Sequence, residues 1–306
     1  MRLPLTSIPA VTPPLPEVTG VSHRFVIANG VRLHVAEAGS PEAPPLLLVH
    51  GWPQHWWMWR LMIPDLARTH RLICPDLRGL GWSEQPAQGY EKETLAADMM
   101  AVLDELGIER ASWLGHDWGA FCGLLAALRH PDRIERLMVL SVPHLWPSRE
   151  ERLNPRRMAS FAYQLPLSAP VLGARLMRAG ATRQVLRRGR AVGHYSEHEL
   201  RSYDQILRTP NGARATVGYY RSFVTRELPA ILTGRYSRSH LRPPTRLLIG
   251  TRDPIGAGAK LDGPIDNAPG LEVEWVPGAG HFLPEERPDL VAERAQRFFA
   301  PSVAHA

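Results

Sequence analysis

The chain has 306 residues, of which 44% are hydrophobic and 22% charged, a composition typical of a globular enzyme with one large domain or a core with an inserted subdomain. Its longest apolar runs fall far short of a membrane span, and the proline-rich segment 1–20 lacks the apolar stretch of a signal peptide. The two cysteines, Cys74 and Cys122, are interpreted as buried side chains, not as a disulfide or metal pair. We therefore expect a cytoplasmic protein.

The net charge of +6 is unevenly distributed along the chain. Residues 143–242 hold 18 arginines and 6 acidic residues, a net charge of +12, and the remainder carries −6. Our first interpretation is that these arginines are solvated side chains on helix faces. The alternative is a positive surface that attracts anionic substrates or surfaces. No recognised nucleic-acid-binding motif accompanies the charge, so we expect no nucleic-acid partner.

Strands and helices alternate over the first part of the chain. After an irregular N-terminal arm over 1–22, residues 23–28 and 31–36 flank Asn29-Gly30, the strongest short signal for a β-hairpin. An amphipathic stretch reaches residue 67, and a helix is predicted from Leu95 to Leu106, ending at Gly107. Further strands are predicted at 45–49, 71–74, 111–114 and 134–140. This alternation predicts an α/β fold with a mostly parallel sheet covered by helices on both faces.

The alternation stops at about Pro143. Up to residue 242 the chain has Arg-rich helical segments that are split by prolines, with little β signal. Strands return at 245–250 and 271–276, followed by an amphipathic helix from Leu290 to Phe299. We therefore predict a core in two parts, 23–142 and 243–306, with a helical cap inserted over 143–242. The insertion point puts the cap over the carboxyl edge of the sheet, where α/β active sites lie.

The most informative motif is the pentapeptide Gly115-His116-Asp117-Trp118-Gly119. It matches the strand–turn–helix elbow that presents a nucleophile, with Asp where such turns usually carry Ser. Small flanking residues let the central residue adopt a strained conformation with positive φ, which Asp tolerates better than most residues. A carboxylate nucleophile forms an alkyl ester with saturated carbon, so the pattern indicates an epoxide or an alkyl halide as substrate. The motif alone leaves open that Asp117 only caps the following helix.

The strand 45–49 runs into His50-Gly51-Trp52-Pro53. In a fold of this kind the residue after the glycine offers its backbone N–H to an oxyanion, and so does the residue after the nucleophile. We therefore predict Trp52 and Trp118 as the two oxyanion-hole donors. Pro53 is a candidate for a cis peptide bond. His50 and His116 are assigned supporting roles beside the site, His50 through hydrogen bonds that hold the loop.

Two further polar residues follow predicted strands. Asp253 lies just after 245–250, and His281 lies just beyond 271–276. Each has an ordinary alternative, since Asp253 could close an Asx turn and His281 could be a plain turn histidine. However, nucleophile, acid and histidine is the chain order of the α/β-hydrolase triad. This order favours Asp117, Asp253 and His281 as a catalytic triad.

With these motifs the chain resembles the α/β hydrolases of the epoxide hydrolase branch, which are related to haloalkane dehalogenases. The resemblance spans nearly the whole chain after residue 22 and implies an eight-stranded, mostly parallel sheet with a helical cap. The segments 161–165 and 219–221 are similar to those in which soluble epoxide hydrolases carry their lid tyrosines. The resemblance thus implies that Tyr163 and Tyr220 hydrogen-bond the epoxide oxygen. Tyr219 is the alternative to Tyr220, and Tyr195 and Tyr203 are further alternatives.

The implied reaction converts a small-molecule epoxide to a vicinal diol. Asp117 forms an ester with a ring carbon, and His281, oriented by Asp253, activates the water that hydrolyses this ester. No metal or organic cofactor is expected, since no zinc, Walker or dinucleotide-binding motif is present. The tryptophans that follow Trp52 suggest bulky apolar walls around the substrate; they are Trp56, Trp57 and Trp59.

Other functions remain to be weighed against this one. A haloalkane dehalogenase uses the same triad, and the Trp118 indole could bind the leaving halide, but relatives with that activity generally have Asn where this chain has Trp52. Fluoroacetate dehalogenases have Arg after the nucleophile, and a serine esterase needs a serine that the elbow lacks. A non-catalytic ligand-binding protein is disfavoured by the complete triad. The oligomeric state, including a homodimer, is left open.

Overall fold

The computed structural model describes residues 13–256, 259, 261 and 265–300, without the side chains of residues 156–158. The predicted arm over 1–22 is therefore described only from residue 13. Residues 13–21 contain neither helix nor strand, and three apolar side chains from this segment pack against the core, those of Leu15, Val18 and Val21.

Eight strands of the described chain form one sheet in the order β1-β2-β4-β3-β5-β6-β7-β8. The strands are β1 (Ser22–Ala28), β2 (Val31–Ala38), β3 (Pro45–Val49), β4 (Arg71–Pro75), β5 (Ala111–His116), β6 (Ile134–Leu140), β7 (Thr245–Gly250) and β8 (Leu271–Val276). β2 pairs antiparallel with both β1 and β4, and every other pairing is parallel. The predicted mostly parallel eight-stranded sheet is confirmed.

The central strands are apolar on both faces because helices cover the sheet on both sides. In β3, Leu47 and Val49 join one core cluster, whereas Leu46 and Leu48 join the other. Successive side chains of a strand point to opposite faces, so one short apolar run supplies both cores. The carboxyl ends of the parallel strands then meet at one edge, which is where the polar motifs of the sequence come together.

Helices connect the strands and fill the segment between β6 and β7. The α-helices are α1 (Ile63–Leu66), α2 (Lys92–Glu105), α3 (Trp118–Arg129), α4 (Arg149–Leu153), α5 (Pro155–Ser160), α6 (Gln164–Ser168), α7 (Pro170–Arg178), α8 (Ala181–Gly189), α9 (Glu197–Leu207), α10 (Pro210–Ser222), α11 (Leu228–Leu232), α12 (Leu283–Glu286) and α13 (Pro288–Phe299). Short 3₁₀-helices cover Trp56–Trp59 and Pro131–Arg133, and a π-helical turn covers Phe223–Glu227. Helices α4 to α11 lie within residues 143–242, called the cap below.

The division into core and cap domains stays a prediction, whereas several element boundaries are directly comparable. Asn29 and Gly30 both have positive φ at the tip of the β1–β2 hairpin, as the Asn-Gly signal predicts. Helix α2 begins three residues before the predicted Leu95, because its polar first turn lies outside the apolar pattern on which the prediction depends. Helix α13 begins at Pro288 and not at Leu290, since proline suits the first position of a helix. No helix in the described part of the chain has the length and apolar character that a bilayer span requires.

Candidate active site

Asp117 lies on a tight turn between β5 and α3. Its φ of 51° and ψ of −122° confirm the positive φ that the pentapeptide predicts. A Cβ atom at Gly115 would lie 2.5 Å from the Gly119 carbonyl oxygen, and one at Gly119 would lie 2.0 Å from the Val49 carbonyl oxygen. Both glycines are therefore required by close backbone contacts. Asp117 occupies the N-cap position of α3 but its side chain makes no capping hydrogen bond, so the helix-cap interpretation is wrong.

The Asp117 carboxylate is held from two sides. Its Oδ1 accepts a hydrogen bond of 2.8 Å from the backbone N–H of Trp52, and its Oδ2 lies 3.7 Å from Nε2 of His281. A Cβ at Gly51 would lie 2.3 Å from Asp117 Oδ1, so the loop after β3 approaches this closely only with glycine there. Trp118 is the first residue of α3, where a helix leaves its N–H groups without intrahelical partners. Both predicted oxyanion-hole residues thus adjoin Asp117.

The loop that carries Trp52 is bonded to His50. The Trp52–Pro53 peptide bond is cis, as predicted. Nε2 of His50 accepts from the Leu77 N–H at 3.0 Å, which leaves Nδ1 as the donor to the Gly51 carbonyl oxygen at 3.0 Å. Burial lowers the pKa of His50, which keeps this ring neutral. The ring therefore contacts the loop backbone, the kind of contact the sequence predicts for it.

Asp253 and His281 meet at the carboxyl edge of the sheet, after β7 and β8. Asp253 Oδ2 lies 3.0 Å from Nδ1 of His281, while its Oδ1 accepts from the Ile255 N–H at 2.8 Å. Asp253 thus closes an Asx turn and contacts the histidine at once. Burial alone lowers the pKa of an imidazole, but Asp253 and then Asp117 outweigh it and raise the pKa of His281 to about 10. His281 is therefore protonated, between the carboxylates of Asp253 and Asp117, as long as Asp117 carries no ester.

His116 lies directly behind His281, with the two ring centres 5.0 Å apart. Its Nε2 is 2.8 Å from the His281 carbonyl oxygen, which also accepts from the Ser141 hydroxyl at 2.7 Å. Because a carbonyl only accepts, Nε2 of His116 carries the hydrogen. Burial lowers the pKa of His116 to about 4, so this donor is neutral at neutral pH. The side chains of His116 and Ser141 therefore hold the backbone of His281.

Tyr163 and Tyr220 pack edge to face, with ring centres 6.0 Å apart. Tyr220, on α10, is buried edge-on against both Trp52 and Trp118, at 5.0 and 5.8 Å between ring centres. Tyr163 precedes α6 and is 38% exposed, yet it lines the same cavity as Asp117. Burial raises the pKa of both phenols, and the Asp117 charge adds to this effect. Both side chains are proton donors at neutral pH.

The alternative tyrosines are bonded elsewhere. The Tyr219 hydroxyl donates to the Arg78 carbonyl oxygen at 2.8 Å. The hydroxyls of Tyr195 and Tyr203 both donate to Glu285, at 2.6 and 2.8 Å. Of the lid tyrosines considered from the sequence, Tyr163 lines the Asp117 cavity and Tyr220 packs against the Tyr163 ring.

A cavity of about 60 Å³ opens next to Asp117 and is walled mainly by apolar side chains. Its walls include Phe121, Val142, Leu145, Phe161, Phe223 and Ile231. The walls are apolar, as the sequence suggests, but Trp56, Trp57 and Trp59 are not among the lining residues. They belong to the core cluster on the other face of the sheet. Trp118 is the tryptophan among the lining residues.

Lys92 is a buried charged residue that the motif analysis did not identify. Its Nζ donates to the Tyr219 carbonyl oxygen at 2.6 Å and to the Ser222 hydroxyl at 3.1 Å, and it lies 4.3 Å above the Trp118 ring. Glu227, in the π-helical turn, is its ion-pair partner at 3.1 Å. The pair ties α2 to the cap helix of Tyr220. The available signal was that lysine occurs only twice in the chain, and it does not predict burial.

Comparisons with known proteins agree with this geometry. A family model described as alpha/beta hydrolase fold matches residues 44–288. The chain is 31% identical over 301 residues to a soluble epoxide hydrolase of Corynebacterium sp. (strain C12), covering 92% of this chain and 99% of that protein. It is 32% identical over 318 residues to epoxide hydrolase A of Mycobacterium tuberculosis, covering 90% of this chain and 97% of that protein. The solved structure of the epoxide hydrolase CorEH without ligand superposes with a TM-score of 0.79 at 29% identity, covering 92% and 99%.

Proposed function

The chain belongs to the alpha/beta hydrolase fold family and is an epoxide hydrolase, and we propose that it opens its substrate through a covalent ester on Asp117. The observation that carries this proposal is the setting of the Asp117 carboxylate. It lies at an apolar cavity, with the Trp52 N–H on one oxygen and His281 beside the other. A carboxylate on the elbow suits attack on saturated carbon, because attack on an ester would give an anhydride.

In the first step an Asp117 oxygen attacks a ring carbon of the epoxide. The bond between that carbon and the ring oxygen breaks, and the oxygen leaves as an alkoxide that stays attached through the second carbon. Tyr163 and Tyr220 hydrogen-bond this oxygen, and one phenol transfers its proton to it. The product is a hydroxyalkyl ester on Asp117 and a tyrosinate in the cap.

Loss of the Asp117 charge changes His281 next. While Asp117 is an anion it helps to raise the pKa of His281, and a neutral ester no longer does so. The pKa of His281 therefore falls once Asp117 is an ester. The extra proton of His281 then moves to the tyrosinate, directly or through water. This step leaves a neutral imidazole, which is the form that can act as a base.

In the second step His281, held by Asp253, takes a proton from water as the water oxygen attacks the ester carbonyl carbon. The resulting oxyanion accepts hydrogen bonds from the N–H groups of Trp52 and Trp118. A single donor of this kind lowers a barrier by about 3–4 kcal/mol. The tetrahedral intermediate collapses, the diol oxygen takes up a proton, and Asp117 returns to its carboxylate form beside a protonated His281.

A single turnover in H₂¹⁸O tests this route. Excess enzyme is mixed with styrene oxide. The masses of the diol and of the proteolytic peptide that contains Asp117 are then measured by mass spectrometry. We expect one ¹⁸O atom in the Asp117 carboxylate and none in the diol, because the attacking water oxygen stays on the ester carbonyl carbon. Label in the diol after one turnover would reject the ester intermediate. Ligand binding without any diol formation would instead support the non-catalytic alternative.

Alkyl-halide hydrolysis is a second candidate activity, favoured by one observation. The indole Nε1 of Trp118 is buried without a hydrogen-bond partner in the described residues, at a position beside the cavity. Against it, the indole N–H of Trp52 already donates to the Thr216 hydroxyl at 3.0 Å and is not free to bind the halide. Halide release from bromoalkanes, measured beside diol formation from styrene oxide, decides between the two.

Two broader predictions accompany this function. We propose a cytoplasmic location, supported by Cys74 and Cys122, which are both free and buried. Fractionation of the native host tests the location. A homodimer is the oligomeric state to test, and sedimentation of the purified protein at several concentrations measures it.

A further inference from the structure

The backbone of His281 is bonded directly to the cap. Its N–H donates to the carbonyl oxygen of Gly189, at the end of α8, at 2.7 Å. A Cβ atom on the preceding Gly280 would lie 2.4 Å from the same Gly189 oxygen and 2.8 Å from the Ala191 nitrogen. The loop that carries the histidine and the cap segment 189–192 thus form a seam with no room for a side chain between them.

Glu286, on α12, bonds to both sides of this seam. Its carboxylate accepts from two N–H groups of the histidine loop, those of Gly280 at 2.9 Å and Phe282 at 3.0 Å. It also accepts from two N–H groups of the cap, those of Ala191 at 2.9 Å and Val192 at 2.8 Å. The residue is 6% exposed. A buried carboxylate with four N–H donors is a strong and directional tether, because hydrogen bonds to a charged acceptor are stronger than neutral ones.

The other backbone contact of His281 comes from the core. Its carbonyl oxygen is held by His116 and Ser141, and its Nδ1 by Asp253. The core therefore fixes one side of the residue, and the cap seam fixes the other. The gap of 3.7 Å between Nε2 and Asp117 is the space that these two sets of contacts define together.

From this geometry we propose that Glu286 is a positioning residue that sets the imidazole of His281 by tying its loop to the cap segment 189–192. The inference rests on the proposed role of His281 as the base in ester hydrolysis. Under it, the base is correctly placed only while this part of the cap is seated. Loss of the tether slows the water step, whereas attack by Asp117 on the epoxide uses Asp117 and the tyrosines and keeps its rate.

The substitution Glu286→Gln tests the tether with little change in volume. An amide has one acceptor oxygen and a donor NH₂ group, so that at least one of the four N–H groups meets another donor. Val192→Pro is the second variant, and it approaches the tether from the cap side. It removes one N–H donor while the Glu286 carboxylate and the core stay unchanged.

The adjacent Glu285 offers a matched control. It lies on the same short helix, is 3% exposed, and its carboxylate also joins core to cap, but its partners do not include the histidine loop. These partners are Gln54, Arg60, Tyr195 and Tyr203. Glu285→Gln therefore weakens the seating of the cap in general without touching residues 280–282.

The experiment follows both steps in each protein by rapid quench, with enzyme in excess over styrene oxide and intact-protein mass spectrometry of the ester. We expect Glu286→Gln and Val192→Pro to form the ester within about twofold of the wild-type rate and to hydrolyse it roughly 10- to 100-fold more slowly, since a displacement of about 1 Å costs rates of this order. Glu285→Gln should keep the wild-type ratio of the two rates.

Equal slowing of ester formation and ester hydrolysis in Glu286→Gln and in Val192→Pro would overturn the proposal. Selective slowing of ester hydrolysis in Glu285→Gln would also overturn it. A Glu286→Gln protein that does not fold leaves the decision to Val192→Pro, whose ratio of rates is read in the same way. If neither the wild type nor His281→Gln forms an ester, the proposed mechanism fails and the role of Glu286 fails with it, whereas an ester with the wild-type ratio of rates in Glu286→Gln and Val192→Pro refutes the role of Glu286 alone. The two failures are therefore distinguishable.

Discussion

On the core side of the cavity, Asp117, Asp253 and His281 each follow a parallel strand, and hydrogen bonds from side chains or backbone hold each of them. On the cap side, Tyr163 precedes the short helix α6, Tyr220 lies near the end of α10, and both rings pack against other aromatic rings. Side chains at strand ends are fixed by the sheet, whereas those of the cap depend on how helices 143–242 are seated.

The two sides also differ in charge. The core side has two carboxylates with a cationic His281 between them, whereas the cap side offers two neutral phenols whose pKa values are raised by burial and by Asp117. The core side is thus suited to forming and cleaving the ester, and the cap side to protonating the leaving oxygen. Variants on either side should therefore affect different steps, and the predictions below test this difference.

The largest effect is expected from Asp117→Ala. Removal of a nucleophile costs on the order of 10⁶ in turnover, so diol formation should fall below detection. Product analysis by chromatography measures this, with thermal unfolding as the check on folding. Residual turnover within about a hundredfold of wild type would mean that another group attacks the epoxide.

His281→Gln should separate the two chemical steps. Without its base, the enzyme still forms the ester but hydrolyses it about 10²- to 10⁴-fold more slowly. Mass spectrometry of the intact protein should then show an adduct with the added mass of the substrate. Absence of an adduct, together with unchanged steady-state turnover, would contradict the assignment of ester hydrolysis to His281 on the core side.

Lys92→Met tests whether the seating of the cap depends on a buried charge pair. The substitution leaves Glu227 buried without its partner, which typically lowers the free energy of unfolding by about 3–5 kcal/mol. Urea unfolding measures the loss. The double variant Lys92→Met with Glu227→Gln is the control, since it removes both charges and should recover part of the stability. A double variant less stable than the single one would contradict the pairing.

Tyr163→Phe and Tyr220→Phe should act on ester formation alone. Each removes one hydrogen-bond donor to the alkoxide and should cost roughly 10²-fold in the rate of that step. Ester hydrolysis should keep its rate in both variants, in contrast to His281→Gln. Rapid-quench measurement of the two rates is the test. Slowed hydrolysis in either variant would mean that the division between core and cap sides does not hold.

The last effect expected is on stability at alkaline pH. The pKa of His281 is about 10 in the folded protein and near 6.5 in the unfolded chain, so folding favours the protonated form. This contribution is fully present below pH 6.5 and is lost as the pH rises through 10. Urea unfolding from pH 6 to 10.5 should show a steeper alkaline loss for wild type than for His281→Gln. If the free energy of unfolding falls equally with pH in both proteins, the raised pKa of His281 is contradicted.

Much of the core side was predictable from short stretches of sequence. The glycines around Asp117 indicate a close backbone contact, and the Asn-Gly pair indicates a hairpin turn. Apolar runs such as 45–49 indicate buried strands. The hairpin turn and the positive φ of Asp117 depend on neighbouring residues, whereas the contact of Gly119 with the Val49 carbonyl also depends on how α3 packs on β3. The cap was harder to predict, because its helices are short and two of the tyrosines considered, Tyr195 and Tyr203, bond to Glu285 and not toward the cavity.

By itself the sequence determined an α/β fold and predicted that Asp117, Asp253 and His281 come together, since these follow from local conformation and from strand ends that must share one edge. Only the tertiary structure decided that Lys92 is buried under the helix of Tyr220, that Trp56 and Trp59 lie away from the cavity, and that Glu286 reaches the cap. Each of these contacts joins residues that are far apart in the chain. The periodicity of a single segment carries no information about a partner that only packing brings near.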